Sequence, residues 1–308
     1  MQFVTIDRWP VSEPIDYRPE LEIGNVLYFP VTPFAFSEDS KEFLRAVDFL
    51  GGAIHKNVAY RPESDRLTGV DAHGAHAERL KSILREYSQT VVRFTSQLLP
   101  QYAAAWKLDY ASFRPLEEEG RNLPVNKRND LIHTDAFPSR PTNGDLILRV
   151  FTNIHPTKTR NWVTADPFRL IAQRYARDAG LDQIAAEASS AGGRVMKQST
   201  RVLRRIGLPV VPRSAYDRFM LRFHEYLKRN EEFQKNCPKY RFDFPPGSTW
   251  LTFTDVLPHS VQSGQHALEQ TFIVARTSLA NPENAPLAIL ERLCGKPLIE
   301  GRVRQQVA

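Results

Sequence analysis

Residues 130–140 read Asp130-Leu-Ile-His-Thr-Asp-Ala-Phe-Pro-Ser-Arg140, a strand-like apolar run that delivers His133 and Asp135 two positions apart. Successive strand side chains point to opposite faces, so residues i and i+2 point the same way and can grip one ion. Two histidines and one carboxylate, with coordination positions left open, form the donor set of a mononuclear non-haem iron(II) site. The third donor must come from another strand end. His259, in Leu257-Pro-His-Ser-Val261 after the aromatic run Thr249-Trp-Leu-Thr-Phe-Thr254, meets that requirement 124 residues beyond Asp135. Alone, His-x-Asp with a later histidine is a weak motif in a chain with 8 His and 35 acidic residues. The competing reading is a strand-end aspartate and two histidines satisfied by surface or core.

Outward from this stretch, short β-rich runs at 130–136, 144–153, 249–254 and 265–277 are joined by turn chemistry at Pro141-Thr-Asn-Gly144 and Gln262-Ser-Gly-Gln265. Strands carrying His-x-Asp, with a distal histidine before a hairpin, suit a double-stranded β-helix, the jelly-roll or cupin-like barrel. The class expected is therefore mixed α/β: one catalytic domain over 1–308, with barrel core at 121–165 and 241–280. Residues 1–120 are expected as helical and extended support, 166–240 as a helical insert, and 281–308 as a C-terminal helix and tail. Helical patterning begins near Glu38, with Phe43, Leu44, Val47 and Leu50, and stops at Gly51-Gly52. A longer helix is expected over 72–98, with Leu80, Ile83, Leu84, Tyr87, Val91, Phe94 and Leu98 on one face. In the insert, Asp166-Pro167 reads as an N-cap followed by proline at the first helical position, opening a helix to Ala179. Ser214-Ala-Tyr-Asp217 reads as a capping box opening another helix, with Tyr216, Phe219, Met220, Phe223 and Leu227 on its apolar stripe.

The chain has 308 residues, 42% of them apolar, enough to bury a substantial core. No uncharged apolar run approaches the roughly 20 residues of a membrane span. The opening Met1-Gln-Phe-Val-Thr-Ile-Asp-Arg-Trp-Pro10 lacks a basic start followed by an apolar stretch, so a secretory signal is not expected. Cys237 and Cys294 stand alone, which argues against a disulfide framework and for a reducing cytoplasm. The net charge of +6 is unevenly placed: residues 166–246 hold 16 Lys and Arg against 9 Asp and Glu, so this segment carries the whole basic excess. Such asymmetry suggests a surface that meets an anion. Within it, Arg194, Lys197, Arg201, Arg204 and Arg205 recur at helical spacing, with Val195, Val202, Leu203 and Ile206 collecting on the other side. This is the pattern of a basic amphipathic helix lying on an anionic membrane. A surface helix packed on its own domain would give the same pattern.

The longer run from Leu131 to Pro156, Leu-Ile-His-Thr-Asp-Ala-Phe-Pro-Ser-Arg-Pro-Thr-Asn-Gly-Asp-Leu-Ile-Leu-Arg-Val-Phe-Thr-Asn-Ile-His-Pro, is far more specific than its metal motif. It resembles the bacterial 3-deoxy-D-manno-oct-2-ulosonic acid (Kdo) 3-hydroxylases, iron(II)- and 2-oxoglutarate-dependent dioxygenases that modify the inner-core sugar of lipopolysaccharide. Leu268-Glu-Gln-Thr-Phe272 strengthens the match. The resemblance covers most of the chain, densest at about 121–168 and 241–276 and loosest in the insert. It implies that His133, Asp135 and His259 ligate iron(II), that 2-oxoglutarate binds through its keto and C1 carboxylate oxygens, and that dioxygen takes the remaining position. Ascorbate is expected to support turnover. The cosubstrate becomes succinate while carbon 3 of the sugar gains a hydroxyl.

The distal carboxylate of 2-oxoglutarate calls for a bidentate arginine. Arg276 lies 17 residues past His259 and shares strand parity with Gln270, Phe272 and Val274; Arg149 is its competitor. Asn153, Thr142 and Gln270 are further candidates for polar contact with the cosubstrate, although turn and strand-end roles explain Asn153 and Thr142 equally well. For the sugar, Arg140, Arg121 and Arg128 flank the motif and are candidates for its carboxylate, and Trp162 for stacking on a ring face. The partners expected are a Kdo-lipid A precursor and the cytoplasmic face of the inner membrane, with the enzyme cytoplasmic and peripheral; a homo-oligomer is compatible with the sequence. Nucleic acid is not expected, because the insert's aromatics fall on apolar stripes rather than among the basic residues. The alternatives are a dioxygenase of another lipid or nucleobase substrate and a non-catalytic jelly-roll carbohydrate-binding protein.

Overall fold

A computed structural model describes residues 3–11, 13–46, 54–70, 74–190 and 211–299. The strands are β1 (Phe3–Thr5), β2 (Val26–Phe29), β3 (Ile54–Arg61), β4 (Arg66–Val70), β5 (Trp106–Arg114), β6 (Leu146–Asn153), β7 (Arg160–Thr164), β8 (Tyr240–Phe244), β9 (Thr249–Phe253), β10 (His259–Ser263) and β11 (Ala267–Val274). The helices are α1 (Arg18–Glu22), α2 (Glu38–Arg45), α3 (Ala75–Leu98), α4 (Pro100–Ala103), α5 (Phe168–Tyr175), α6 (Leu181–Ser189), α7 (Ala215–Arg229), α8 (Glu231–Asn236) and α9 (Pro286–Cys294).

Among the described residues, one sheet runs β1-β2-β9-β6-β11-β5-β3-β4 and a smaller one runs β10-β7-β8. Every pairing is antiparallel except β1 with β2. A paired bridge between His133 and His259 extends the smaller sheet by the chain segment that carries the motif. The sheets face each other across an aromatic layer in which Phe151 and Trp250 of the large sheet meet Trp162, Phe242 and Phe244 of the small one. This is the expected jelly-roll, with N-terminal strands and helices added to the large sheet.

The barrel begins earlier than the sequence patterning suggests. β5, within the stretch expected as support, pairs with β11 along its length and is a wall of the barrel. Its run Trp106-Lys-Leu-Asp-Tyr-Ala-Ser-Phe-Arg114 alternates poorly because β5 is bulged at Asp109-Tyr110, two residues opposite Thr271 of β11, which shifts the register midway.

The outer face of the large sheet is covered by α3. Leu80, Leu84, Tyr87 and Val91 bury against Leu148, Val150, Leu268 and Phe272 in one apolar core. The helix, expected over 72–98, runs from Ala75 to Leu98 with Gly74 at its N-terminal cap. At Glu38 the helix forms with Ser37 as its cap but runs only to Arg45, and the expected glycine stop falls outside the described residues. The insert packs a second core in which Tyr216, Phe219 and Phe223 of α7 meet Phe168 and Ile171 of α5. α5 is shorter than expected: Pro167 is its cap in extended geometry, and the helix ends at Tyr175 rather than Ala179. The capping box at Ser214 is present, and its Asp217 also accepts backbone hydrogen bonds from Thr142 (2.9 Å) and Asn143 (3.1 Å). One helix cap thereby fastens the loop after the metal motif to the insert. No described helix is long and apolar enough to cross a membrane.

Candidate metal centre

His133, Asp135 and His259 are buried, and each offers a ligand atom within 4.8 Å of the others. Two features of the local backbone bring them together. His133 and His259 exchange both backbone hydrogen bonds (3.0 and 2.9 Å), so their imidazoles rise side by side on one face. The Asp135 amide donates to the Thr254 carbonyl (2.9 Å), which turns the chain so that the carboxylate follows.

The donor chemistry fits a divalent ion. Each imidazole sets its Nδ1 against the carbonyl two residues earlier, Leu131 at 2.7 Å for His133 and Leu257 at 2.9 Å for His259. A carbonyl only accepts, so Nδ1 carries the hydrogen and Nε2 keeps its lone pair for a metal. Burial, reinforced at His133 by the neighbouring His224 and His259, pushes both histidines below their ordinary pKa, so both are neutral at pH 7. At Asp135 burial acts to raise the carboxyl, but the Arg149 guanidinium beside it is the foremost opposing influence and the group lies far below the usual carboxylate range. Two neutral nitrogens and one anionic oxygen therefore face a common point.

Trp162 lies flat on His259, with ring centroids 4.8 Å apart and planes 18° apart, and His224 of α7 sets an edge against His133 at 4.8 Å. His224 Nδ1 lies 2.7 Å from the Thr134 carbonyl, inside the metal motif. Neighbours on both sides thus fix the two imidazoles, as ligand orientation requires.

Below the triad the barrel interior is charged. Arg149 Nη1 stands 3.2 Å from Asp135 Oδ2, and Arg149 Nε stands 3.4 Å from Glu269 Oε1. Glu269 Oε2 accepts from Arg114 Nε (2.9 Å). Deeper still, Arg160 is 1% exposed, donates to the Gly264 carbonyl (3.1 Å) and lies 3.5 Å from Glu118. Burial, and then the proximity of Arg114, pulls its pKa down to about 10. Gly264 is needed there: a Cβ would lie 2.7 Å from the Arg160 side chain and 2.9 Å from its Cα.

The other expected site residues scatter. Arg276 is not on β11 at all: the strand ends at Val274, and Arg276 opens a 3-10 turn with its Nε 3.6 Å from Asp145. The parity that groups it with Gln270, Phe272 and Val274 selects the outer face, since Phe272 and Val274 belong to the core that packs α3. Gln270 is fully buried and donates to the carbonyls of Asp109 (3.0 Å) and Thr271 (2.9 Å), closing the backbone at the bulge instead of meeting a cosubstrate. Asn153 is likewise consumed by a turn: its amide donates to Lys158 and Phe244 carbonyls, and its oxygen accepts from the His155 amide. Thr142 borders a small cavity with Asp135, Tyr216 and Asp255.

Trp162, expected against a sugar, is 1% exposed and serves His259 instead. Arg121 and Arg128 pair with Glu118 and Asp130, and both line an open groove of about 740 Å³ with Asn161, Arg241 and Gln262, to which no triad residue contributes. Arg140 stays close to the centre. Its guanidinium lies 3.8 Å from the Tyr110 ring centroid and 4.4 Å from that of Phe137, whose other neighbour is Arg149 at 5.4 Å. Arg194, Lys197, Arg201, Arg204 and Arg205 lie outside the described residues. Arg114, Arg160, His224 and the part played by Glu269 are not visible in the sequence, because nothing local distinguishes an inward strand position from an outward one before the partners are known.

A jelly-roll barrel with a buried two-histidine, one-carboxylate centre defines the class of mononuclear non-haem iron oxygenases. Comparison with known proteins narrows it. Residues 12–297 match the family model described as 3-deoxy-D-manno-oct-2-ulosonic acid (Kdo) hydroxylase, and the chain belongs to that family. Among solved structures, the Kdo hydroxylase KdoO, a non-haem Fe(II) α-ketoglutarate-dependent dioxygenase, in complex with α-ketoglutarate and Fe(III), matches with TM-score 0.82 and 33% identity over 97% of this chain and 98% of that one. KdoO in complex with cobalt(II) matches with TM-score 0.82 and 34% identity, and its apo structure with TM-score 0.81 and 34% identity, at the same coverage. No curated protein sequence matches the chain.

Proposed function

We propose that the chain is an Fe(II)- and 2-oxoglutarate-dependent dioxygenase that hydroxylates carbon 3 of a Kdo sugar on a Kdo-lipid A precursor. The observation that carries this reading is the buried triad, whose two Nε2 lone pairs and one carboxylate oxygen converge in a barrel lined with guanidinium groups. Iron(II) held by His133, Asp135 and His259, with 2-oxoglutarate bound beside it, would supply the oxidative chemistry: one oxygen of dioxygen ends in succinate as the cosubstrate loses carbon dioxide, and the other enters a carbon–hydrogen bond.

The protein's own part is to hold, orient and keep dry. Trp162 of the small sheet covers His259 and is backed by Phe151 and Trp250 of the large sheet, which keeps apolar surface beside the centre where water would otherwise compete. The interior guanidinium groups of Arg149, Arg114 and Arg160 lie on the barrel's inward face, which favours them over Arg276 for the distal carboxylate of the cosubstrate. Arg140 is the expected sugar-carboxylate residue that this geometry favours, because one aromatic ring, Phe137, lies between it and the arginine beside Asp135. Its present partner is Asp109, 3.3 Å away, whose carboxyl burial pushes up from the ordinary value. A buried acid that binds its proton more readily releases the guanidinium to a stronger anion at smaller cost.

The test is mass spectrometry of a Kdo-lipid A precursor after incubation with the protein, iron(II), ascorbate and 2-oxoglutarate. A gain of one oxygen on the sugar, with stoichiometric succinate, is expected. Succinate without oxygenated sugar would move the substrate elsewhere, and neither product would end the enzymatic reading.

The acceptor's lipid places it at a membrane, and the five basic residues at 194–205 supply a charge suited to an anionic surface. We infer peripheral attachment at the cytoplasmic face of the inner membrane. Sedimentation with anionic liposomes should be lost when Arg194, Lys197, Arg201, Arg204 and Arg205 are all changed to Glu; equal binding by that variant removes the idea.

A further inference from the structure

We propose that Arg149, held in place by Glu269, is a positioning residue that confines Asp135 to one-oxygen ligation and so keeps a coordination position open. The inference rests on the reading of the triad as an iron and 2-oxoglutarate centre. It concerns which oxygen of Asp135 is free to reach the metal.

The two oxygens of Asp135 have different surroundings. Oδ1 stands 3.8 Å from His133 Nε2, on the side where the three donors converge, whereas Oδ2 stands 3.2 Å from Arg149 Nη1. A carboxylate can bind a metal through one oxygen or both. With two imidazoles, a cosubstrate that chelates through two atoms, and dioxygen, an octahedral ion has room for one oxygen of Asp135 and not for two. A guanidinium against Oδ2 competes directly with the metal for that oxygen, and in a buried site the competition is strong.

Arg149 has little freedom to leave. It lies on β6 opposite Thr271 of β11, and Glu269 precedes Thr271 by two residues on the same face. Glu269 divides its oxygens: Oε1 faces Arg149 Nε at 3.4 Å and accepts from the Thr271 hydroxyl at 3.1 Å, while Oε2 accepts from Arg114 Nε at 2.9 Å. A carboxylate on the central strand thus ties an arginine from each neighbouring strand. It leaves the forward nitrogen of Arg149 aimed at Asp135. If Arg149 served only to anchor the distal carboxylate of the cosubstrate, nothing would require it to sit on a metal ligand's spare oxygen.

The experiment uses the full-length protein loaded with Co(II), whose visible absorption reports its ligands. 2-Oxoglutarate is titrated in and, separately, 2-oxobutanoate, which presents the same two chelating groups without a distal carboxylate. In Arg149→Met, Co(II) affinity is expected to stay within about threefold, while both chelators bind at least about tenfold more weakly, because Asp135 closes on the position they need. Weakening of 2-oxoglutarate alone would make Arg149 a distal-carboxylate anchor and overturn the proposal. So would unchanged binding of both chelators, or loss of Co(II) from a folded variant, since the three ligand atoms are untouched. Should Arg149→Met not fold, Glu269→Gln decides: it keeps the shape and releases Arg149, and both chelators are expected to weaken about threefold. Unchanged 2-oxobutanoate binding in that variant overturns the proposal. If wild-type protein binds Co(II) but its spectrum answers neither chelator, the reading of the site fails instead.

Discussion

The two faces of β11 obey different physics although their residues alternate along one strand. Leu268, Phe272 and Val274 point outward, are fully buried, and pack with α3 in an apolar core. Glu269 and Thr271 point inward, are equally buried, and meet Arg114 and Arg149. Burial alone therefore does not locate the site. What separates the faces is how burial is compensated: by contact among hydrocarbons on one side, and by ion pairs on the other. The outward face supplies stability, and the inward face supplies a place where charge is held ready for ligands that carry charge.

The sharpest break of this contrast comes from the triad. Asp135→Ala, His133→Ala and His259→Ala should each lower sugar hydroxylation by about a thousandfold or more, as expected when a centre loses a member of a unit that acts together. Each should also abolish stoichiometric Co(II) binding in equilibrium dialysis, with the far-ultraviolet circular dichroism unchanged. Turnover near wild-type by Asp135→Ala would place the chemistry somewhere else.

Phe272→Ala attacks the outward face alone. The ring is fully buried and lies 4.3 Å, centroid to centroid, from Trp106. A cavity there should cost about 3–5 kcal/mol in urea unfolding, while the folded fraction binds Co(II) as before. A loss of metal affinity from the folded protein would mean that the two faces are coupled, contrary to the comparison.

Acid should weaken the metal-free protein chiefly through its buried histidines. His133, His224 and His259 have pKa values lowered first of all by burial, and burial brings His266 down to about 4. Below the ordinary value near 6.5 the unfolded chain binds protons that the folded one refuses, so stability must fall as pH drops from about 7 toward 5. Each such histidine contributes at most about 1.4 kcal/mol per pH unit in that window. Urea midpoints at pH 7.5 and 5.0 measure the slope; a metal-free protein more stable at pH 5.0 would contradict it.

The smallest effect is expected at the seam between the sheets. Trp162→Phe keeps an aromatic layer but loses area over His259, and should cost about 1 kcal/mol of stability. Co(II) affinity should weaken severalfold, because the imbalance falls on one ligand's orientation. Equal affinity in the two proteins would reduce Trp162 to packing.

Legibility follows the same division. The triad could be read early because the phrases around His133 and Asp135 are specific; the expected strand over 130–136 does not form, since only His133 makes a bridge and the chain turns at Asp135. The helix at 75–98 and the capping box at Ser214 are legible from local spacing. Arg276 does not continue the parity of β11: the strand ends at Val274, the residues grouped with it lie on the outward face, and Arg276 itself begins a turn. Gln270 and Asn153 carry polar side chains next to the motif, but a bulge and a turn use up their hydrogen bonds, and neither demand is visible before the backbone pairings are known. Trp162 looked like a sugar platform because a tryptophan near a polar motif has two employments, and only the register of β7 with β10 sets its ring on His259.

What the sequence determined unaided is the identity of the donors, through the specific phrases around His133, Asp135 and His259, and the turn and cap residues between the elements. Those are properties of short stretches of chain. Which arginine meets Asp135, which carboxylate braces that arginine, and which of β11's faces looks at the metal were decided only by the tertiary structure. Each depends on register between strands from β5 to β11, and a shift of one residue in any pairing would turn the charged face outward and the apolar face in.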